Sequence, residues 1–151
     1  MVSRSDQGAL YRKEQKMASV QKEIVIDADP ADVWGVISDF ADGPVRMAPG
    51  FVINSKLEEP EIRIATFSDG TVARERRVAL DDQSRRLAYS VIGGTMAPTH
   101  DNASMQVFPH SDGRSRFVWI HDVQPDDLAT AMGVAMEHGL GIFKQTMEAI
   151  R

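Results

Sequence analysis

Three residues capable of acid–base chemistry lie inside stretches of alternating apolar sequence. His121 shares its predicted strand face with apolar residues on both sides, and Tyr89 and Glu75 take inward positions in two earlier stretches. Strict alternation is typical of half-buried β-strands, in which every second side chain points to the same face. A histidine or carboxyl group held against apolar neighbours can exchange protons near neutral pH. The sequence therefore predicts His121, Glu75 and Tyr89 as candidate catalytic residues.

Each of these candidates also has a purely structural interpretation. Arg63 and Arg77 share the predicted face of Glu75, and an ion pair is favoured because two guanidinium groups would keep the carboxylate ionised. Tyr89 could orient a ligand carbonyl group or donate a hydrogen bond to Glu75. A buried histidine is more often bonded to a core neighbour than catalytic, yet His121 is the best single candidate for catalysis.

A second polar position follows a loop of residues 93–99. His100 and Asp101 stand there, near one end of the predicted sheet. They could bind or gate a ligand, but the favoured interpretation is a solvated start of a strand. Neither they nor the other histidines have the short spacing typical of metal ligands, so no metal site is predicted.

Periodicity predicts the elements that must position these residues. One strand covers residues 20–26, Asp29 and Pro30 then begin a short helix, and a further helical turn fits residues 45–48. Short turns such as Asp69-Gly70 link the strands that follow, which makes neighbouring strands antiparallel. Six such strands are predicted, at residues 51–57, 62–67, 72–80, 87–91, 103–107 and 117–123.

A long C-terminal helix is predicted from Asp126 to Arg151. Pro125 precedes it, and apolar residues recur along it at spacings of three or four. A helix of this length, about 39 Å, can cross and cover one face of a curved seven-stranded sheet. Small or flexible side chains between the two layers would leave either an adaptable cavity or a dry core packed by methionine. The inward candidates of this kind are Ala65, Ala79, Ala103, Met105, Met132, Met136 and Gly139.

Several short motifs follow one another in an order that resembles a known superfamily. They are Ala28-Asp29-Pro30, Val33-Trp34, Asp39-Phe40, Arg63 before Asp69-Gly70, Arg74-Glu75-Arg76, Leu87 with Tyr89, and Gly139-Leu140 with Lys144 and Glu148. Over residues 18–150 the chain resembles the SRPBCC superfamily, in particular the polyketide cyclase/dehydrase-like branch of the START-like helix-grip fold. Two positions depart from its pattern: Met47 replaces a customary tryptophan, and Glu59-Pro60-Glu61 replaces a glycine-rich loop.

The resemblance implies an α+β fold in which a seven-stranded antiparallel sheet wraps around the C-terminal helix, after two short helices. One ligand-binding domain is expected at residues 17–151, behind a flexible extension at residues 1–16. Known roles in the superfamily are polyketide cyclisation and dehydration, binding of lipids and hormones, and carriage of apolar ligands.

We therefore expect a cavity for a small apolar or aromatic molecule. One hypothesis adds cyclisation or dehydration by the acid–base groups of the cavity, as a lyase or isomerase without metal or cofactor. The alternative is a non-catalytic carrier or sensor, and a scaffold with a filled core is a third reading. The expected ligand-binding residues are Arg63, Arg77, Asp101, Met105, Trp119, Met132, Met136 and Phe143.

The composition excludes several other classes of protein. The chain has 151 residues, a net charge of −5 and no cysteine, which rules out disulfides and thiol chemistry. No apolar stretch is long enough to span a membrane and no secretion signal is evident, so a single cytoplasmic domain, monomeric or homodimeric, is predicted. Acidic residues interrupt the arginines of the outer sheet face, so nucleic acid is not an expected partner. Those arginines are Arg74, Arg76, Arg85, Arg86, Arg114 and Arg116.

Overall fold

The computed structural model describes residues 16–150, so the extension predicted at residues 1–16 lies outside the described residues except for Lys16. Three α-helices follow the predicted order: α1 and α2 come after the first strand, and α3 comes last. Their bounds are α1 Pro30–Ile37, α2 Gly43–Met47 and α3 Ala129–Ala149. The strands are β1 Ala18–Ile26, β2 Val52–Glu59, β3 Ile62–Phe67, β4 Val72–Asp81, β5 Arg86–Gly94, β6 His100–Pro109 and β7 Ser115–Gln124.

All seven strands form one antiparallel sheet in the order β1-β7-β6-β5-β4-β3-β2. Strands β2 to β7 follow one another as hairpins, and β1 pairs with β7 over its whole length, with Ala18 opposite Val123 and Ile26 opposite Ser115. The sheet curves, and α3 covers its concave face. The predicted α+β helix-grip architecture is confirmed. In residues 16–150 no helix is both long enough and apolar enough to cross a membrane.

Helices α1 and α3 differ in the structure of their N-termini. The Asp29 side chain accepts a hydrogen bond from the Ala31 N–H at 2.8 Å, and Pro30 occupies the first turn of α1, as predicted. The C-terminal helix begins later than predicted: Asp126–Leu128 form a 3-10 turn, and the α-helix starts at Ala129. Such turns are frequent at helix N-termini, and the acidic residues that suggested the start lie in it.

Ala79 was expected to point toward the helix and instead lies exposed on the opposite face. In the pairing of β4 with β5, Arg77 stands opposite Tyr89 and Ala79 stands opposite Ala88, which leaves Val78 as an extra residue. A one-residue bulge inverts the alternation of every side chain that follows it. The simple two-residue period therefore fails beyond Arg77.

The core consists of three apolar clusters. The largest joins α1 to the middle of the sheet and to the C-terminal half of α3, where Phe143 packs edge-on against Phe117 with ring centroids 5.4 Å apart. A second cluster lies around Ala65 on β3, and a third joins Val123 to Met136 on α3. Residues from all three clusters also border an open space between sheet and helix.

Candidate functional site

A cavity between the sheet and α3 contains all three candidate catalytic residues. Its larger chamber measures about 260 Å³ and is bordered by Glu75, Tyr89 and His121. A smaller chamber of about 60 Å³ lies toward α2. Both chambers border on the same five side chains, so we describe them as two parts of one cavity. The shared side chains are Phe51, Phe67, Glu75, Tyr89 and Trp119.

A chain of hydrogen bonds runs along the wall of the larger chamber. Oδ1 of Asp101 lies 2.8 Å from Nδ1 of His121, and Nε2 of His121 lies 3.1 Å from the Tyr89 hydroxyl group. The indole N–H of Trp119 donates to the same hydroxyl oxygen at 2.9 Å. The second oxygen of Asp101 accepts the backbone N–H of Val91 at 2.8 Å. These four side chains form what we call the relay: Asp101, His121, Tyr89 and Trp119.

The contacts of the relay determine where its protons lie when His121 is neutral. An ionised Asp101 can only accept hydrogen bonds, so Nδ1 of His121 must carry the proton that faces it. Nε2 is then the acceptor, and the Tyr89 hydroxyl group donates to it. Trp119 can only donate, which agrees with its direction toward the Tyr89 oxygen. Every hydrogen bond in the relay is therefore satisfied at once.

Tyr89 is the buried centre of this arrangement. Its burial raises the pKa of its hydroxyl group well above the usual value of 10, and the negative charge of Glu75 raises the pKa further. The hydroxyl group is consequently neutral at any pH near 7 and retains its proton. It can pass that proton to His121 only if it receives another in exchange.

The predicted ion pair of Glu75 forms with Arg63. Nε of Arg63 lies 2.7 Å from Oε1 of Glu75, and both side chains are buried. Nη1 of Arg63 donates to the carbonyl oxygen of Phe40 at 3.2 Å, and its guanidinium group lies 4.5 Å from the centre of the Phe40 ring. Further contacts of this kind reduce the cost of burying a charged pair.

Oε2 of Glu75 differs from Oε1, because no described residue donates a hydrogen bond to Oε2. Among residues 16–150, no fully enclosed side-chain nitrogen or oxygen atom lacks a partner. Glu75 borders both chambers, so we place this second oxygen in contact with the open space of the cavity. It is an acceptor within reach of a bound molecule.

The remaining predicted site residues divide between cavity wall and core. Arg63 and Met105 border the smaller chamber, Met132 and Met136 border the larger one, and Trp119 borders both. Met47, which replaces the tryptophan of the family pattern, also borders the smaller chamber.

Three predicted ligand-binding residues lie outside the cavity wall: Arg77, Phe143 and Asp101, the last of which lies behind His121. Arg77 pairs with Glu61 at 2.9 Å and lies over the Phe40 ring, at the outer end of β4. Phe143 is fully buried in the largest core cluster and borders neither chamber. Strand alternation gave Arg77, and helical spacing gave Phe143, the correct face, but neither residue borders a chamber.

The solvated strand start proposed for Asp101 is wrong. Its side chain is buried, with 3% of the residue exposed, while its neighbour His100 is exposed. Asp101 has the same parity as Ala103 and Met105, so it points into the protein and supports His121 from behind. This parity was visible in the sequence.

Sequence reasoning did not identify Phe51 and Phe67, which border both chambers. Phe67 could have been found, because it continues the inward alternation of Arg63 and Ala65 along β3. Phe51 could not, because the pairing of β2 with β3 shifts between Val52 and Asn54. No three histidine, aspartate or glutamate side chains in the described part of the chain are grouped to hold a metal ion.

The curved sheet, the long C-terminal helix and the cavity between them define a START-like domain of the SRPBCC superfamily. A family model described as "Polyketide cyclase / dehydrase and lipid transport" matches residues 17–148. The chain belongs to this family, and membership implies a hydrophobic small molecule as ligand. No curated protein matches the sequence.

Solved structures with the same fold come from several bacteria. XoxI from Bacillus cereus is 21% identical, with 88% of this chain and 97% of that chain covered and a TM-score of 0.75. An uncharacterised protein from Bacillus thuringiensis is 20% identical, with 87% and 99% covered and a TM-score of 0.79. A START superfamily protein from Mycobacterium smegmatis is 14% identical, with 88% and 99% covered and a TM-score of 0.72. At such identities the likeness concerns the fold alone.

Proposed function

We propose that the protein binds a compact, largely apolar molecule in the larger chamber and transfers a proton on it through Tyr89 and His121. The observation that carries this proposal is the contact between the Tyr89 hydroxyl group and Nε2 of His121 at 3.1 Å on the cavity wall. Asp101 orients the imidazole ring so that Nε2 accepts from the Tyr89 hydroxyl group, which is the arrangement that a proton transfer needs.

The size of the cavity restricts the ligand. A cavity of about 150 Å³ lined by apolar groups is enough to hold benzene. The larger chamber, at about 260 Å³, therefore suits a molecule of about two fused rings, and its smaller neighbour leaves room for a short substituent. A long lipid chain would exceed the volume of the two chambers.

The relay supports a balanced proton transfer. A C–H or O–H proton of the ligand moves to the Tyr89 oxygen while the Tyr89 proton moves to Nε2 of His121. Tyr89 stays neutral, the ligand becomes an anion, and the imidazolium ion is stabilised by Asp101 through Nδ1–H. Return of the proton to another ligand atom completes an isomerisation. Loss of a ligand hydroxyl group with that proton, as water, completes a dehydration.

A carrier without catalysis is the second candidate function. The same cavity supports it, because four of the five shared wall residues are aromatic and would hold an apolar ligand by packing alone. In that case the relay would only satisfy buried polar groups. The two functions differ in one observable, the exchange of ligand protons.

Binding is tested by titration calorimetry with 2-naphthalenemethanol on the full chain. Ala135→Leu places three more carbon atoms on the larger chamber's wall and should weaken binding at least about tenfold, whereas Val134→Leu on the exposed face should not. Equal binding by both variants would contradict a ligand in this chamber.

Proton transfer is tested by exchange of the acidic carbon-bound protons of 2-tetralone in D₂O, followed by NMR. The protein should accelerate the exchange, and Tyr89→Phe should abolish the acceleration while binding of 2-tetralone persists. An exchange rate equal to that in buffer would favour the carrier.

A further inference from the structure

The larger chamber has an unequal distribution of charge. Among residues 16–150, the ionisable side chains on its wall other than Tyr89 and His121 are two carboxylates, Asp69 and Glu75, and no lysine or arginine borders it. Arg63, which pairs with Oε1 of Glu75 and offsets the charge of that carboxylate, borders only the smaller chamber. The larger chamber therefore presents acceptor oxygens to a bound molecule, and Asp69 adds a negative charge.

Asp69 marks the mouth of this chamber. It lies exposed in the turn between β3 and β4, where its side chain accepts the backbone N–H of Thr71 at 2.9 Å. That hydrogen bond lowers the pKa of the Asp69 carboxyl group below its usual range, so the group is ionised at neutral pH. A charged ligand entering past this turn meets a carboxylate first.

Glu75 provides the second acceptor, deeper in the cavity. The residue is 8% exposed, and its Oε2 atom has no partner among the described residues. The wall of the same chamber also contains the aromatic side chains Phe51, Phe67 and Trp119 together with Tyr89. Aromatic rings attract cations through their negative faces, and a carboxylate among them adds a charge-assisted hydrogen bond.

An anionic ligand would find none of these advantages. Its charge would lose hydration and meet no lysine or arginine on the wall of the larger chamber, while Asp69 would repel it. A neutral ligand would lose little and gain only packing.

We propose that the ligand of the larger chamber is a protonated amine carried on a compact aromatic body. The amine binds between Glu75 and the aromatic wall, and the ring occupies the rest of the chamber. This inference rests on the proposed function and adds the substrate class. A positive charge on the ligand also offsets the negative charge that develops there when the ligand gives a proton to Tyr89.

Three ligands that share one ring system test this inference on the full chain at pH 7. They are 2-naphthylmethylamine, 2-naphthalenemethanol and 2-naphthoate, which differ mainly in the charge of the substituent. Calorimetry should give a dissociation constant for the amine about tenfold below that of the alcohol, and weaker binding still for the carboxylate.

Asp69→Asn removes the negative charge of this side chain while keeping its size, so it isolates the effect of the charge on ligand binding. The amide oxygen can still accept the Thr71 N–H, but the negative charge is gone, so the preference for amine over alcohol should fall while alcohol binding stays unchanged. Glu59→Gln removes one charge from β2 outside the cavity and should change neither value.

Alcohol or carboxylate binding as tight as that of the amine would overturn the assignment of the amine while leaving the proposed function intact. Binding of none of the three ligands would contradict the proposed function itself.

Discussion

Nδ1 of His121 lies 2.8 Å from Oδ1 of Asp101, which is buried behind His121 while His121 itself borders the larger chamber. Their backbones are not directly opposite, since Ala103 is the residue that faces His121 across the strands. The Asp101 side chain therefore extends along the sheet toward the neighbouring pair, Ala103 and His121, and hydrogen-bonds the imidazole ring. A histidine fixed in this way has one nitrogen atom committed and the other directed at Tyr89.

The first prediction concerns the tautomer of His121. In the wild-type protein, ¹⁵N NMR of the neutral imidazole should show a protonated Nδ1 and an unprotonated Nε2. In Asp101→Asn, the amide oxygen should keep the Val91 N–H and turn its NH₂ group toward Nδ1, which forces the opposite tautomer. Binding of 2-tetralone should persist in this variant and its proton exchange should not. A wild-type spectrum with a protonated Nε2 would refute the relay.

The second prediction concerns the buried pair of Arg63 and Glu75. Either Arg63→Met or Glu75→Leu leaves one buried charge without its partner and should lower the free energy of unfolding by about 3–5 kcal/mol in urea titrations. The double variant should regain most of that loss. Glu58→Gln, which breaks the exposed pair with Arg74, is the control and should change stability little. Additive losses in the double variant would show that the two charges are not coupled.

The third prediction concerns pH and Tyr89. Burial raises the pKa of this hydroxyl group in the folded chain, whereas in the unfolded chain it titrates near pH 10. Its contribution to stability is therefore complete below pH 10 and is lost as the pH rises above that value, by up to about 1.4 kcal/mol per pH unit.

The matched variant is Tyr89→Phe, because every other titrating group is common to both proteins. Urea titrations between pH 8 and 11 should show the unfolding free energy of the wild type falling more steeply than that of the variant. At high pH the wild type should gain more tyrosinate absorbance than the variant only once the chain unfolds, because Tyr89 keeps its proton in the native protein. Parallel pH profiles would mean that Tyr89 ionises normally.

The fourth prediction uses two glycines of α3. A methyl group at Gly139 would lie 3.5 Å from Cζ3 of Trp119, on the wall of the smaller chamber, whereas one at Gly141 would meet nothing. Both Gly139→Ala and Gly141→Ala should stabilise the helix by up to about 1 kcal/mol. Only Gly139→Ala should weaken the binding of a ligand that extends between Trp119 and Phe51. Equal binding by both variants would place the ligand wholly in the larger chamber.

The sequence was sufficient for the element order because each strand is amphipathic and each turn is short. The face of His121, Glu75 and Tyr89 also follows from alternation alone. Ala79 and Phe51 could not be placed on the correct face. A bulge at Val78 and a register shift in β2 change which face the side chains take, and no feature of the local sequence reveals either change. The partners of the polar groups depend on distances between strands that are remote in sequence. The link from Asp101 to His121 therefore needed the structure.

In our proposal a compact ligand binds against Trp119, between the sheet and α3. The protein has two tryptophans: the indole N–H of Trp119 bonds to Tyr89 in the cavity, and that of Trp34 bonds to Asp82 away from it. Titration with 2-naphthalenemethanol, followed by ¹⁵N–¹H NMR of the two indole groups, tests the claim directly. The Trp119 signal should shift saturably while the Trp34 signal stays in place. A saturating ligand that leaves the Trp119 signal unchanged, or shifts only the Trp34 signal, would show that the ligand does not bind against Trp119.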